Sequence, residues 1–323
     1  MEARTDMAKI IVTGGAGFIG SNLIAELNAR GDKDILIVDH LGTGEKWKNL
    51  RSLRYEDFMD KDDFRESFLC DLVEPAETVF HLGACSATTE TDADYLMDNN
   101  YRYTRDLCEW TLANEGRFIY ASSAATYGNG ENGYSDDDAV TPKLKPMNMY
   151  GYSKHLFDLW AMEHGLFNEI AGLKYFNVYG PNEYHKGDMR SVVHKAYCQI
   201  RDTGSVSLFK SYRPEYADGE QVRDFIYVKD AVAVTLFFME NPEAAGLFNC
   251  GTGKARSWND LANAVFSAMN KKADIKYIEM PDHLKNQYQY HTEADMRKLK
   301  AAGFAKPFHS LEDGSRDYVQ NYL

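Results

Sequence analysis

Short apolar runs alternate with segments of helical periodicity through the first half of the chain. Residues 9–13 form a β-branched run that meets glycines at once, and 35–38 form a second continuous apolar run. Between them, residues 18–30 repeat apolar positions at helical spacing and stop at Gly31, which is typical of a helix and its end. The pattern predicts two buried strands joined by a helix.

The same alternation continues to residue 176. It predicts helices at 61–69, 92–114 and 150–164, and strands at 78–82, 117–120 and 170–176. Strands that are apolar on both faces, each followed by a helix, are typical of a parallel sheet covered on two sides. We therefore predict a doubly wound α/β fold of the Rossmann type.

The pattern breaks after Tyr179-Gly180-Pro181. A polar segment rich in aromatic and basic residues runs to 223, before a strand at 225–228, a helix at 231–240 and one more sheet strand at 247–249. We predict a smaller mixed α/β substrate-binding domain that interleaves with the first. The dinucleotide-binding domain would hold residues 7–176 and 222–250, and the substrate-binding domain 177–221 and 251–323.

Composition excludes several classes of protein. The 323 residues are 44% hydrophobic and 26% charged, as in globular proteins, and no apolar stretch is long enough to span a membrane. A net charge of −13 argues against nucleic acid as a partner. Five cysteines without CxxC spacing fit neither a disulfide framework nor a metal site, so we predict a cytoplasmic protein without a metal.

A glycine motif, Thr13-Gly14-Gly15-Ala16-Gly17-Phe18-Ile19-Gly20, joins the first predicted strand to the first predicted helix. In that context Gly14 permits the tight turn, Gly17 admits a pyrophosphate and Gly20 lets the helix pack closely. The free N–H groups of the helix would bind the phosphates. Asp39 ends the second strand, where an acid accepts hydrogen bonds from the adenosine ribose. These residues predict a dinucleotide site.

The residues leave the choice between NAD and NADP open. Asp39 alone favours NAD, because its charge would repel a 2′-phosphate. Lys46 and Lys61 lie downstream and could offset that charge, although solvated surface lysines are the simpler interpretation.

A second group of residues indicates proton transfer. Tyr150 and Lys154 are four residues apart near a helix start, so both project from one face. A nearby ammonium brings a phenol closer to the working range of a base. Ser123 follows a predicted strand end, where it could bind a substrate hydroxyl or a developing oxyanion.

With these motifs, the chain resembles the extended short-chain dehydrogenase/reductases that modify nucleotide sugars. Four segments, 83–90, 121–128, 175–181 and 184–187, are similar more narrowly to the ADP-glyceromanno-heptose 6-epimerase family, an isomerase family. The resemblance implies tightly bound NADP, with NAD as the alternative, and an ADP-heptose substrate. It also implies a role in lipopolysaccharide inner-core synthesis and a homo-oligomer, for which the family precedent is a pentamer.

The resemblance also implies site residues. Those that would contact the cofactor are Gly14, Gly17, Phe18, Ile19, Gly20, Asp39, His40, Lys46, Lys61, Leu82, Gly83, Ala84, Cys85, Ser86, Asn99, Lys154 and Val178. Those that would contact the sugar nucleotide are Asn177, Asp188, Lys195, Phe209, Lys210, Ser211, Tyr212, Arg223 and Tyr288, besides Lys186. At four of these positions the chain departs from the residue that the family usually has: His40, Leu82, Asp188 and Lys195.

Inversion of a carbinol carbon requires hydride removal and its return to the opposite face. The ketone must turn between the two transfers, so one acid/base group cannot serve both orientations. We expect Tyr150 to be one group and Lys186 the other, with Lys186 needing burial or a neighbouring cation to act as a base. A diphosphate-binding role for Lys186 is the alternative, and Arg223 is expected to clamp the diphosphate.

Three other functions share parts of this pattern. Sugar-nucleotide 4,6-dehydratases carry an Asp-Glu pair where this chain has Ala124-Ala125-Thr126, which disfavours that reaction. A UDP-hexose 4-epimerase using NAD is disfavoured only by the narrower motifs. A regulator that binds dinucleotide without turnover has no need to keep Ser123, Tyr150 and Lys154 together.

Overall fold

The chain folds around parallel β-structure in the computed structural model, which describes residues 10–285 and 288–323. Twelve strands occur in these residues: β1 (Ile10–Thr13), β2 (Ile35–Asp39), β3 (Asp57–Asp60), β4 (Thr78–His81), β5 (Arg117–Ser123), β6 (Ala171–Tyr175), β7 (Asn177–Tyr179), β8 (Val206–Phe209), β9 (Val222–Tyr227), β10 (Gly246–Cys250), β11 (Ala255–Ser257) and β12 (Ile275–Ile278).

The α-helices of the described residues are α1 (Phe18–Arg30), α2 (Lys61–Leu69), α3 (Ala93–Leu96), α4 (Tyr103–Ala113), α5 (Met149–Glu163), α6 (Val192–Thr203), α7 (Val228–Glu240), α8 (Trp258–Ala268), α9 (Asp282–Lys285), α10 (Arg297–Ala301) and α11 (Leu311–Tyr322). A π-helical segment, Met97–Arg102, joins α3 to α4. Short 3-10 turns lie at Lys46–Leu50, Ala124–Tyr127, Thr141–Lys143, Leu166–Asn168 and Tyr184–Met189.

Seven strands form one parallel sheet in the order β10-β6-β5-β4-β1-β2-β3. Its strands alternate between two cores: on β1, Ile10 and Val12 join one apolar cluster while Ile11 joins the other. Helices cover both faces because both faces are apolar. The predicted doubly wound fold is confirmed.

The strand order reverses at β1, which lies between β2 and β4. Consecutive connections leave this point in opposite directions, so their loops diverge at the carboxyl ends of β1 and β4. In doubly wound sheets the resulting crevice is where ligands bind. The glycine motif follows β1, and Leu82 follows β4, so the fold brings both to that crevice.

The second half adds two small sheets. One has the order β11-β9-β7, with β9 antiparallel to β11 and parallel to β7, and the other pairs β8 with β12. The predicted final sheet strand is confirmed, since β10 pairs with β6. The predicted strand at 225–228 begins earlier, at Val222, and belongs to the small sheet. The proposed domain boundaries stay a prediction.

Candidate active site

The glycine turn forms a close-fitting cradle at the start of α1. Gly14 has φ +70°, and a Cβ there would lie 2.7 Å from the backbone nitrogen of Gly83. A Cβ on Gly20 would collide with the Gly14 carbonyl oxygen. Gly17 caps α1 without a side-chain hydrogen bond, and the first turn carries no acidic residue. The helix N-terminus therefore stays open to an anion.

Asp39 is buried at the end of β2. Its Oδ2 accepts a hydrogen bond from the Ala16 N–H at 2.9 Å, and its Oδ1 accepts one from the His40 N–H at 2.7 Å. Lys46 forms an ion pair with the same carboxylate. The charge that would repel a 2′-phosphate is therefore paired with an ammonium group.

A cavity of about 200 Å³ opens beside Asp39. It is lined by His40, Lys46, Lys61 and Asn99, four of the predicted cofactor contacts, and by Gly14 of the glycine turn. Lys61 also pairs with Asp62 at 2.7 Å, and its side chain is 30% exposed. Both lysines thus lie at the cavity, although the sequence pattern alone favoured solvated surface positions.

A larger cavity of about 660 Å³ contains all four predicted catalytic residues, Ser123, Tyr150, Lys154 and Lys186. It also reaches the glycine turn, Asp39, Lys46, the loop from Leu82 to Ser86, and Val178. Every predicted cofactor residue therefore lines one of these two adjoining cavities.

Ser123 ends β5, whereas Tyr150 and Lys154 lie one turn apart on α5. Asn148 caps this helix by accepting a hydrogen bond from the Gly151 N–H at 2.8 Å, which fixes the start of α5 beside β5. Burial raises the pKa of the Tyr150 phenol, and hydrogen bonding with the Ser123 hydroxyl opposes that rise. The pair is placed for proton transfer at the crevice.

Lys154 is 3% exposed, and its Nζ has no hydrogen-bond partner among the described residues. Burial lowers the pKa of this ammonium to about 8, while the Asp158 carboxylate opposes the shift. A buried ammonium without an acceptor is costly, so it indicates that a ligand supplies one. A ribose hydroxyl of a nicotinamide dinucleotide would do so, and the glycine cradle fits the same ligand.

Lys186 lies on the loop between β7 and α6, at the 3-10 turn that Gly187 kinks with φ +54°. Its ammonium lies 5.5 Å from the centroid of the Phe18 ring, at the first residue of α1. Burial lowers the pKa of Lys186, and the Glu183 carboxylate opposes the shift. The environment therefore meets the burial condition that a lysine base requires.

The predicted substrate residues fall into three places. Asn177 lines the large cavity. The Lys195 ammonium donates to the Asp188 carbonyl oxygen at 2.6 Å, so these two residues contact each other. Like Asp188 and Lys195, the remaining six do not line that cavity. Phe209 ends β8, Lys210, Ser211 and Tyr212 follow it, Arg223 lies on β9, and Tyr288 follows α9.

Arg223 is the centre of this third group. Its guanidinium is buried and lies 5.5 Å from the Trp258 ring and 5.3 Å from the Tyr288 ring. It donates to the carbonyls of Val222 and Gln289, and among described residues no carboxylate forms an ion pair with it. Burial lowers its pKa. An unpaired buried cation beside Trp258, which lines the large cavity, favours an anionic ligand.

Several lining residues were not predicted. They are Ala87, Ala121, Ser122, Tyr175, Phe176, Tyr179, His185, Met189, Arg190, Ser191, Val192, Val193, Phe225, Trp258 and Leu261. Burial and two nearby lysines lower the pKa of His185 to about 4. Because His185 adjoins Lys186 in the sequence, its place at the cavity could have been predicted from that neighbour. Trp258 carries no local signal beyond the capping box that begins α8.

Membrane-spanning helices and metal clusters are both absent from the described ranges, 10–285 and 288–323. No helix there is long and apolar enough to cross a membrane. No cluster of three or more His, Cys, Asp or Glu side chains there could hold a metal ion.

The fold and the Ser123, Tyr150 and Lys154 group define a nicotinamide-dinucleotide enzyme of the short-chain dehydrogenase/reductase type. Residues 10–251 match the model of the NAD dependent epimerase/dehydratase family, and the chain belongs to that family.

Its relatives narrow the assignment. The chain is 58% identical to ADP-L-glycero-D-manno-heptose-6-epimerase of Nitratidesulfovibrio vulgaris (strain DP4), over 97% of each chain. The crystal structure of the Helicobacter pylori ADP-L-glycero-D-manno-heptose-6-epimerase superposes with a TM-score of 0.80 at 27% identity, covering 97% of this chain and 96% of that one. The UDP-N-acetylglucosamine 4-epimerase of Methanobrevibacter ruminantium M1 also reaches 0.80, at 25% identity over 98% of both chains. The fold is thus common to several epimerases, whereas the sequence is similar to the heptose 6-epimerases.

Proposed function

We propose that the protein is an isomerase that inverts C6 of the heptose in ADP-glycero-manno-heptose, for lipopolysaccharide inner-core precursor synthesis. The observation that carries the proposal is that two separate ionisable groups, Tyr150 and Lys186, line one cavity with the glycine cradle. The relative from N. vulgaris, similar over nearly its full length, supports the choice of sugar.

A bound nicotinamide dinucleotide would supply reversible hydride transfer at C6, by which the carbinol becomes a ketone and the ketone is reduced on its other face. The glycine turn and the α1 N-terminus would hold its pyrophosphate. Lys154 would donate to its ribose hydroxyls, because that ammonium is buried without an acceptor.

We infer that the cofactor is NADP and not NAD. The Asp39 carboxylate already accepts from two backbone N–H groups and pairs with Lys46. Lys46, Lys61 and His40 then surround the small cavity with basic groups, which suits a 2′-phosphate.

Proton transfer would be divided between Tyr150 and Lys186. Tyr150 exchanges a proton with the C6 oxygen in one orientation of the sugar, aided by Ser123, whose hydroxyl hydrogen-bonds to the substrate oxygen. After the ketone has turned, its oxygen faces Lys186, whose buried ammonium supplies or removes the proton there. Burial lowers the pKa of Lys186 below that of a surface lysine, which favours proton exchange at this position.

The nucleotide end would be bound by the aromatic and basic group around Arg223. The guanidinium would pair with the diphosphate, and the neighbouring rings of Tyr288 and Phe209, 6.5 Å apart, would contact the adenosine. Asn177, Asp188, Lys195, Lys210, Ser211 and Tyr212 complete the proposed set. We place the enzyme in the cytoplasm as a homo-oligomer, following the family precedent.

The test supplies ADP-D-glycero-manno-heptose and UDP-glucose separately to the purified protein with NADP or NAD. The proposal expects inversion at C6 of the heptose only, without deuterium from D₂O at that carbon, because the hydride returns directly. Turnover of UDP-glucose alone would identify a hexose 4-epimerase. Substantial deuterium at C6 would identify enolisation, and no turnover with either sugar would favour a regulator.

A further inference from the structure

A network of buried charges adjoins the Ser123, Tyr150 and Lys154 group. Its central residue is Asp158, one turn beyond Lys154 and two turns beyond Tyr150 on α5, so all three share one helix face. Neither Asp158 nor the β6 residue Lys174 has any exposed surface. Buried charges are rare unless they are paired, and these two side chains pair with each other.

Both oxygens of the Asp158 carboxylate are occupied. Oδ1 accepts from the Tyr120 hydroxyl at 2.9 Å, and Oδ2 accepts from the Ser122 hydroxyl at 2.7 Å. The Lys174 ammonium lies 3.6 Å from Oδ2. Asp158 thereby fixes α5 to β5 at the residue that precedes Ser123.

Lys174 is connected to Ser123 through Thr126. Its ammonium donates to the Thr126 hydroxyl at 2.9 Å, and Thr126 donates in turn to the Ser123 carbonyl at 2.8 Å. The ammonium also lies 4.5 Å from the Tyr127 ring centroid. Two chains of contacts, one from Asp158 and one from Lys174, therefore hold the backbone on both sides of the Ser123 hydroxyl.

The network also sets the charge around Lys154. Burial lowers the pKa of both Lys154 and Lys174, and the Asp158 carboxylate opposes both shifts, while Asp136 also opposes the shift at Lys174. The titratable groups around Lys154 are His81 at the end of β4, Cys85, Asp158, and Tyr150 one turn away on α5. Those around Asp158 are Tyr120, Tyr127, His155, Lys154 and Lys174. Burial and Lys154 hold the pKa of His81 well below its usual value, and the largest effect opposing the burial of Lys154 is that of Asp158.

We propose that Asp158 and Lys174 are positioning residues for the reaction: the Asp158 carboxylate stabilises the Lys154 ammonium beside Tyr150, and Lys174 fixes the Ser123 backbone, and with it the Ser123 side chain, through Thr126. The inference rests on the proposed function, because it assigns these residues to the support of that acid/base group.

The test uses two variants of nearly unchanged volume in the full-length protein with its cofactor. Asp158→Asn removes the charge but can still accept from Ser122, and the basic limb of the kcat/KM profile should move to lower pH by about one unit. Lys174→Met should lower kcat by about tenfold without moving that limb to lower pH.

A second measurement needs no turnover. Lysine labelled with ¹³C at Cε lets the titration of Lys154 be followed by NMR without added cofactor, with Lys154→Met identifying its resonance. Asp158→Asn should shift this titration to lower pH. Should that variant fold poorly, Asp158→Asn/Lys174→Met removes both charges and should give the same direction of shift.

Asp230→Asn is the matched control, because Asp230 is also a buried carboxylate, bonded at 2.8 Å to the His309 N–H and ring Nδ1 on another part of the fold. It should lower the melting temperature and leave the pH profile unchanged. The proposal is wrong if Asp158→Asn loses activity equally at every pH and the Lys154 titration stays at its wild-type position. Failure of the proposed function has a different signature: the wild-type enzyme would epimerise another sugar nucleotide, while the Lys154 titration would still shift.

Discussion

Replacing Arg223 by Met separates ligand binding from folding. In the native fold this guanidinium is buried beside two aromatic rings and donates to two backbone carbonyls. Among the described residues, no carboxylate forms an ion pair with it. In the proposed function, the diphosphate of the substrate is the counter-ion of Arg223. We therefore expect Arg223→Met to weaken nucleotide binding while leaving the stability of the fold almost unchanged.

The magnitude follows from the contacts. Two charge-assisted hydrogen bonds to phosphate contribute about 3 kcal/mol in total after competition with water, which corresponds to on the order of a hundredfold in affinity. For folding, losing two carbonyl hydrogen bonds costs about 2 kcal/mol. Relief from burying an unpaired charge offsets a similar amount, so the melting temperature should change by less than about 4 °C.

The assay is calorimetric titration with ADP, which carries the diphosphate without the sugar, together with thermal unfolding. Arg117→Met is the matched control, because this guanidinium donates to the carbonyls of Glu169, Phe238 and Ala244, none of which lines either cavity, whereas Arg223 lies beside Trp258, which lines the larger one. The control should lose stability and keep its ADP affinity. If Arg223→Met binds ADP within threefold of wild type, the diphosphate assignment is refuted.

Three further changes test other parts of the site and the fold. Gly20→Ala should abolish dinucleotide binding in a fluorescence titration, because its Cβ would collide with the Gly14 carbonyl; binding at wild-type affinity would show that the cradle relaxes. Lys46→Met should weaken NADP more than NAD, since it leaves the Asp39 charge unpaired, and an equal loss for both would remove the 2′-phosphate contact. Burial raises the pKa of Asp136 to about 6, so its ionisation destabilises the fold increasingly as pH rises from about 4 to 6. Asp136→Asn should therefore raise the melting temperature at pH 8, where up to about 3 kcal/mol is relieved, and have a much smaller effect near pH 4; a pH-independent change would contradict this.

The parts of the protein that the sequence predicted are those governed by local pattern. Strand β1, the glycine turn and α1 follow one another directly, and their apolar spacing and turn residues determine each step. Tyr150 and Lys154 share a helix, so their spacing placed them on one face. The structure agrees at each of these positions.

The parts that were missed depend on contacts between distant segments. Strand β3, Asp57–Asp60, is short, polar at both ends and at the sheet edge, so it lacks the apolar run that identified its neighbours. Trp258 reaches the cavity beside Arg223 only because β11 pairs with β9. Asp158 and Lys174 meet because α5 packs on β5 and β6 is the neighbour of β5 in the sheet, which no spacing along the chain reveals.

The most direct measurement of the two-group mechanism is the epimerisation rate of Lys186→Met beside that of Tyr150→Phe, with NADP affinity determined for both. We expect each variant to bind the cofactor normally and to lose at least about a hundredfold in rate, as when a general acid/base is removed. Epimerisation by Lys186→Met at close to the wild-type rate would show that one proton-transfer group serves both faces of the sugar.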